Sequence, residues 1–151
     1  MNGESTAAIQ WKAEGSTAVI TIDRPAVRSA VDLPTALSLS EALDKLDADP
    51  KIRVGVLTGA NGVFSAGMDL KASAASGQRP VCPSRGGFGI VGQPPSKPLI
   101  AAIEGSALGE GLEIAVACDV IVAAEDSKLG LPEVQRGLVA SGGGLVRLPP
   151  Q

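Results

Sequence analysis

Short runs of β-branched residues alternate with helical patterns along this chain, and this alternation limits the folds open to it more than any other feature. The pattern predicts strands over residues 8–11, 18–23, 52–58, 99–104, 119–124 and 128–131. Such an order predicts an α/β fold, in which crossover helices connect parallel strands. Repeated units of two strands and one helix fit this order, although the sequence contains no clear repeat.

One long helix is predicted to begin after Asp32, a good N-cap residue, with Pro34 tolerated in its first turn. Apolar residues then recur at spacings of three and four and form one helical face: Ala36, Leu39, Leu43 and Leu46. The Asp-Pro pair at 49–50 ends this helix. A second, shorter helix is predicted over 109–117, despite its two glycines.

The composition predicts one domain over residues 1–151 with a packed, mainly aliphatic core. Hydrophobic residues make up 44% of the 151 residues, charged residues 19% and aromatic residues only 2%. Residues 72–98 have little apolar periodicity and are rich in Gly, Ser, Pro and Gln. We expect them to form a mobile loop within the domain, with room for short helical pieces.

Several functional classes are excluded by what the chain lacks. It has no histidine, which removes Ser-His-Asp and Cys-His catalysis and most transition-metal sites, so we expect no metal. The net charge of −3, the lack of a basic run and the scarcity of aromatic residues argue against nucleic-acid binding. No apolar stretch is long enough to cross a membrane, so we expect no membrane association.

The cysteines and the N-terminus favour the cytoplasm as the location. The N-terminal residues lack a basic region followed by an apolar run, so we expect no signal peptide. The two cysteines are far apart in sequence. Cys118 is predicted to be a small core residue and Cys82 a free thiol in a loop.

Three segments carry the residues suited to chemistry. Residues 105–113 (GSALGEGLE) end at Glu113, residues 129–137 (LGLPEVQRG) contain Glu133, and residues 64–71 (FSAGMDLK) lie upstream. Two carboxylates suited to proton transfer and glycine-rich turns that expose backbone N–H groups are what chemistry beside an activated carbonyl needs.

Each of these features also has an ordinary explanation. Glu113 could be a surface acid, although its apolar neighbours favour partial burial. Glu133 follows Pro132, and taken alone it fits a simple preference for acids in the first turn of a helix. The glycines at 142–144 are not followed by a Gly-Lys-Ser/Thr signature, so a nucleoside triphosphate site is not expected. Only the joint occurrence of the segments favours function.

Together these segments resemble the enoyl-CoA hydratase/isomerase family, whose members are also called crotonases. The resemblance starts at residues 19–25 (VITIDRP), continues through 52–59 and 64–70, and covers nearly the whole chain. It implies a crotonase-like spiral of ββα units that lacks the family's C-terminal helical part. It also implies an acyl-CoA lyase of fatty acid metabolism that reversibly hydrates 2-enoyl-CoA to 3-hydroxyacyl-CoA.

The resemblance also implies partners. An acyl-CoA thioester would be the substrate, and no separate cofactor is expected because coenzyme A is part of that substrate. Full-length members of the family are expected to form homotrimers or hexamers.

By position in the family's motifs, Glu113 and Glu133 are the implied catalytic pair. The implied oxyanion hole consists of the backbone N–H groups of Met68 and Glu110, which Gly67 and the glycine-rich start of the helix make accessible. The implied substrate-binding residues are Val27, Arg28, Ala30, Ala66, Asp69, Leu70, Lys71 and Gly109. Lys71 either meets a phosphate of coenzyme A or is a solvated surface lysine.

Two departures from the family bear on activity. Glu110 stands where the family has a small residue; we expect its side chain to turn to solvent at the start of the helix, and the alternative is that it faces the thioester oxygen. The sequence stops soon after the second glutamate segment, whereas family members continue. Both glutamates are present, which favours a hydratase. The alternative is an inactive truncated member that at most binds acyl-CoA or a partner subunit.

Overall fold

The computed structural model describes residues 7–148 and contains strands and helices in alternation. The strands are β1 (Ile9–Glu14), β2 (Thr17–Ile22), β3 (Val54–Gly59), β4 (Val81–Cys82), β5 (Gly86–Gly87), β6 (Leu99–Ile103), β7 (Ser106–Leu108), β8 (Val120–Ala123) and β9 (Lys128–Gly130). The helices are α1 (Leu33–Ala48), α2 (Leu70–Ser76), α3 (Glu110–Val116) and α4 (Gly144–Arg147), and 3₁₀ turns cover Pro25–Val27 and Pro132–Arg136.

The main sheet has the strand order β1-β2-β3-β6-β8. β1 and β2 form an antiparallel hairpin, whereas β2, β3, β6 and β8 pair in parallel. The predicted α/β class is confirmed, and the predicted strands of this sheet differ from the observed ones by at most three residues at their ends. None of the described helices is long and apolar enough to cross a membrane.

A second set of parallel pairings stacks each turn of the chain on the one before. Val31 bridges to Met68, Ser65 bridges to Ala107, and β7 pairs with β9. Each turn therefore adds one strand to the main sheet and one segment to this second ladder. The result is a spiral that brings residues about 20 to 40 positions apart into register, and it places Met68 near the start of α3.

Helix α1 forms as the sequence predicts. The Asp32 side chain accepts a hydrogen bond from the Thr35 N–H at 2.9 Å, which caps the helix. The four apolar residues of the predicted face are fully buried: Ala36, Leu39, Leu43 and Leu46. Leu46 packs so closely on Gly55 of β3 that a Cβ atom there would lie 2.7 Å from its Cδ2.

The segment predicted to be a mobile loop is tied to α1 by Arg85. Its guanidinium, which is almost fully buried, donates to Asp44 and Asp47 of α1 and to the carbonyl oxygen of Gln93, each at 2.9 Å. Asp47 also accepts from the N–H of Ser96 at 2.8 Å. These contacts attach residues 85–96 to the helix. The mobility of residues 72–98 stays a prediction.

Cys82 lies in the core instead of a loop, which differs from the prediction, whereas Cys118 packs against the core as a partly buried residue. Cys82 lies in β4 and belongs to the buried core, because the segment around it folds back onto α1. Cys118 is only partly buried at the end of α3. Both are free thiols, and burial together with the adjacent Asp119 raises the pKa of Cys118 to about 12. The polar composition around Cys82 gave no sign of its burial.

Candidate active site

A cleft of about 340 Å³ lies where the loop before α2 meets the start of α3 and the 3₁₀ turn Pro132–Arg136. Its walls come from three distant parts of the sequence that the spiral brings together. They consist of Arg28, Ala66, Met68, Leu70, Leu108, Gly109, Glu110, Pro132, Glu133 and Leu138. The volume falls in the usual range for small-molecule sites.

Glu133 projects from the 3₁₀ turn onto the start of α3. A Cβ atom at Gly109 would lie 3.1 Å from Glu133 Oε1, so the absence of a side chain at Gly109 gives the carboxylate its room. Both carboxylate oxygens are covered and have no hydrogen-bond partner among the described residues. Burial, with smaller contributions from the nearby charges of Glu110 and Glu113, raises the pKa of Glu133.

Glu113 is fully buried on α3. Its Oε1 accepts a hydrogen bond from the N–H of Gly144 at 2.9 Å, whereas Oε2 has no partner in the described chain. A Cβ atom at Gly142 would lie 2.5 Å from that second oxygen. The glycines at 142–144 therefore cover the Glu113 carboxylate, and the hydrogen bond from Gly144 attaches the start of α4 to α3.

The two glutamates lie on the same side of α3. Glu133 reaches Gly109, the N-cap residue of this helix, and Glu113 lies four residues further along it. Leu131, two residues before Glu133, and the Glu113 carboxylate both lie 3.1 Å from a Cβ placed at Gly144. The charge of Glu113 helps to raise the pKa of Glu133, and two such shielded carboxylates are suited to moving protons to and from one bound molecule.

The backbone N–H groups of Met68 and Glu110 lie on either side of Gly67. A Cβ atom at Gly67, whose φ is +89°, would lie 3.1 Å from the Glu110 nitrogen. The Glu110 N–H donates to no acceptor in the described chain. The Met68 N–H does have an acceptor, and it is Oε2 of Glu110 at 3.3 Å.

The expectation that the Glu110 side chain turns to solvent is therefore wrong. Without a Cβ at Gly67 there is a gap beside Met68, and Oε2 of Glu110 fills it, 2.8 Å from where that Cβ would be. The N–H of Met68 faces this gap and has no other acceptor in the described chain, so it attracts the carboxylate. Among the described side chains, no Lys or Arg forms an ion pair with Glu110, Glu113 or Glu133.

The structure brings half of the expected substrate-binding residues to the cleft. Arg28, Ala66, Leu70 and Gly109 line it. Asp69 does not: it pairs with Arg24 at 3.1 Å and accepts from the Ala72 N–H at 3.0 Å, so it caps α2. The others that do not line the cleft are Val27, Ala30 and Lys71, of which Ala30 is buried and Lys71 exposed.

Sequence reasoning missed three apolar residues of the cleft: Leu108, Pro132 and Leu138. The first two adjoin Gly109 and Glu133 in sequence, and that adjacency was the available signal. Leu138 follows a polar turn and gave none. Within residues 7–148, no group of three or more Cys, Asp or Glu side chains is placed to hold a metal ion.

The same three segments occur together in a known protein family. The sequence model of the family described as enoyl-CoA hydratase/isomerase matches residues 12–151. The chain belongs to this family. The fold is accordingly the crotonase fold, as the alternation of elements and the motifs predict.

Proteins similar to this member of the family are known both as sequences and as structures. The enoyl-CoA hydratase EchA19 of Mycobacterium tuberculosis is 41% identical over 89% of this chain and 53% of its own length. A carnitinyl-CoA dehydratase of Salmonella enteritidis is 43% identical over 86% of this chain and 51% of its own length. The crystal structure of enoyl-CoA hydratase EchA1 from Mycobacterium marinum superposes with a TM-score of 0.91 at 51% identity, covering 95% of this chain and 56% of that one.

The chain thus spans about half the length of the relatives that it matches. The residues that the family model matches, 12–151, include both glutamate segments and the Met68 loop.

Proposed function

We propose that this chain carries the site of an acyl-CoA hydratase, which reversibly adds water to 2-enoyl-CoA to give 3-hydroxyacyl-CoA. The observation that carries the proposal is the pair of shielded glutamates, Glu113 and Glu133, beside the N–H groups of Met68 and Glu110. The similar proteins named enoyl-CoA hydratase and carnitinyl-CoA dehydratase support the same class of reaction.

The two N–H groups would receive the thioester carbonyl oxygen. Addition of water to the double bond builds negative charge on this oxygen, and fixed N–H donors stabilise that charge. Removal of one such donor typically costs about 100- to 1000-fold in rate.

The two glutamates would divide the proton transfers. Glu113 Oε1 accepts a hydrogen bond from the Gly144 N–H, which fixes the carboxylate in place, and its other oxygen has no partner in the described chain, so it is suited to take a proton from the water that attacks C3. Burial raises the pKa of Glu133, so this residue more readily holds a proton and is suited to deliver it to C2. One proton from water goes to Glu113 and one arrives at C2 from Glu133. Return of a proton from Glu113 to Glu133 by exchange with solvent then restores both side chains, so the sum is the addition of one water molecule.

The acyl group would occupy a second cavity, of about 270 Å³, on the other side of Met68. Its walls are Arg79, Pro80, Val81, Gly87, Phe88, Val91 and Gly92, closed by Ser141 and Gly142. Apolar side chains of the 79–92 segment suit a hydrocarbon chain. Arg28, in the first cleft, would then face the coenzyme A portion, whose phosphates suit a cation.

The second candidate is an inactive protein that binds acyl-CoA. It is favoured by the position of the Glu110 carboxylate on Met68 and by the full burial of Glu113. Both must change before a substrate oxygen and a water molecule reach the site.

Assembly into trimers or hexamers, a cytoplasmic location and the absence of a cofactor beyond the coenzyme A moiety are further parts of the proposal. Sedimentation velocity tests the assembly into trimers or hexamers.

The experiment is a comparison of Glu133→Gln and Glu113→Gln with the parent protein, using 2-butenoyl-CoA as substrate. We expect each variant to lower turnover by about 100- to 10,000-fold while coenzyme A thioester binding persists, because the amide keeps the shape but loses the proton function. Glu125→Gln is the matched control, since Glu125 is exposed and outside both cavities.

The outcomes separate the two candidates. A parent protein that binds the thioester and hydrates none of it supports the inactive binder. A parent protein whose turnover survives both substitutions would exclude the two glutamates from the chemistry. If neither turnover nor binding is seen, both candidates fail.

A further inference from the structure

We propose that Glu110 is an internal competitor of the substrate, whose carboxylate holds the Met68 N–H in the free protein and must leave before the thioester oxygen binds. This inference rests on the proposed acyl-CoA site. It assigns to one side chain a specificity role that the backbone positions alone do not indicate.

The contact between Glu110 and Met68 occupies the place that a substrate oxygen would need. Oε2 of Glu110 accepts from the Met68 N–H at 3.3 Å, a distance longer than the usual 2.9–3.0 Å of an N–H···O bond. The oxygen lies at the gap left by Gly67, where a Cβ atom would be 2.8 Å from this oxygen and 3.1 Å from the Glu110 nitrogen. A carbonyl oxygen that accepts from both N–H groups needs this same volume, so the two oxygens exclude one another.

The Glu110 carboxylate is held only weakly in this place. The other charged residues that line the cleft are Glu133 and Arg28. None of the described cations pairs with Glu110, and the Glu133 carboxylate repels it. A long hydrogen bond to one amide opposed by a like charge is a contact that a bound ligand displaces.

This internal contact has a consequence for recognition. In the free protein the N–H of Met68 is already bonded and the N–H of Glu110 is not, so a thioester carbonyl gains one hydrogen bond instead of two. The carbonyl therefore adds less to binding than it would in a protein without the Glu110 carboxylate. The developing enolate would also be opposed by the carboxylate if Glu110 stayed in place, so the side chain must rotate out of the gap and into the cleft.

The test compares two ligands that differ by this one oxygen, butyryl-CoA and the thioether S-butyl-CoA. Neither has a double bond to hydrate, so calorimetry measures binding alone. The decisive quantity is the ratio of the thioether Kd to the thioester Kd in four proteins: the parent, Glu110→Gly, Glu110→Gln and the control Glu125→Gln. Effects on the shared coenzyme A portion cancel in this ratio.

We expect the ratio to be lowest in the parent and in Glu125→Gln, where the carbonyl gains only the Glu110 N–H. In Glu110→Gly we expect the ratio to rise by about three- to tenfold, the effect of one hydrogen bond, because the Met68 N–H is then free to donate to the thioester carbonyl. Glu110→Gln should lie between, because a neutral amide oxygen competes less well than a carboxylate. Thermal melts show whether each variant is folded. If Glu110→Gly is not folded, the comparison of Glu110→Gln with the parent tests the inference.

A ratio that is the same in all four proteins overturns the inference, and so does a ratio that is lower in Glu110→Gly than in the parent. In either case both ligands still bind, and the proposed function stands. If all four proteins bind neither ligand, the proposed acyl-CoA site itself fails. A parent that binds neither ligand beside a Glu110→Gly variant that binds butyryl-CoA would support the inference in its strongest form.

Discussion

The region before residue 118 and the region after it are packed in different ways. Every residue of the buried hydrophobic cluster lies between Ala18 and Ala117. Ten of the fourteen exposed large hydrophobic residues in the described chain lie after residue 119. The first region therefore contains the core that specifies the fold, and the second lies over it with much of its apolar surface in contact with solvent.

The candidate site lies across this boundary. Glu113, Met68 and Glu110 belong to the packed region, whereas Glu133 and the glycines over Glu113 belong to the exposed one. Core packing holds Met68, Glu110 and Glu113 in place. The residues after 118 are held at the site by two contacts, the hydrogen bond from the Gly144 N–H to Glu113 and the approach of Glu133 to Gly109. Stability and site geometry thus depend on different residues.

The largest effect that this comparison predicts is on stability, in a pair of leucine substitutions. Leu43 is 0% exposed on α1 and Leu145 is 68% exposed on α4. Leu43→Ala leaves a cavity and should lower the free energy of unfolding by about 2–5 kcal/mol. Leu145→Ala should change it by about 0.5 kcal/mol at most. Urea unfolding of the two variants measures both. Equal losses would show that the second region is as well packed as the first.

The two regions also differ in how far sequence reasoning reached. The buried face of α1 can be predicted from local sequence, because the apolar period and the Asp32 cap lie within one continuous segment. The structure confirms this predicted face. The orientation of Glu110 is not local: it depends on the gap at Gly67, which another turn of the spiral places beside it. The burial of Cys82 depends in the same way on how residues 81–97 fold back onto α1.

The sequence motifs predicted the site correctly where the position of a residue depends only on the path of the backbone. The segments around Met68, Glu113 and Glu133 were found because glycines and carboxylates at fixed spacings are visible in the sequence, and the spiral brings them together. Asp69 shows the limit of this approach. Its position in a motif placed it in the substrate pocket, but its side chain is committed to Arg24 and to the cap of α2.

The second prediction asks whether residues 85–96 belong with the packed region, as their contacts indicate. Arg85→Ala removes the guanidinium that joins this segment to Asp44 and Asp47, whose carboxylates remain partly solvated. We expect a loss of about 2 kcal/mol, less than for a fully buried pair. We also expect faster amide hydrogen exchange in residues 85–96. Arg53→Ala, at an exposed position, is the control and should leave both unchanged. Rapid exchange of the segment in the parent protein would instead support the mobile loop expected from its composition.

The smallest expected effect is the pH dependence of stability that Glu133 contributes from the exposed side of the site. Its pKa in the folded protein is raised above the ordinary 4.5, mainly by burial and also by the neighbouring carboxylates. The folded state therefore favours the protonated form, and the charged form costs stability once the pH exceeds the ordinary value. Glu133→Gln removes that cost, so it should be more stable than the parent at pH 7, and the difference should shrink as the pH falls to about 4. Glu125→Gln should show no such convergence. Melting curves across this pH range measure the effect, and a Glu133→Gln variant that is less stable than the parent at pH 7 would mean that the carboxylate makes a stabilising contact instead.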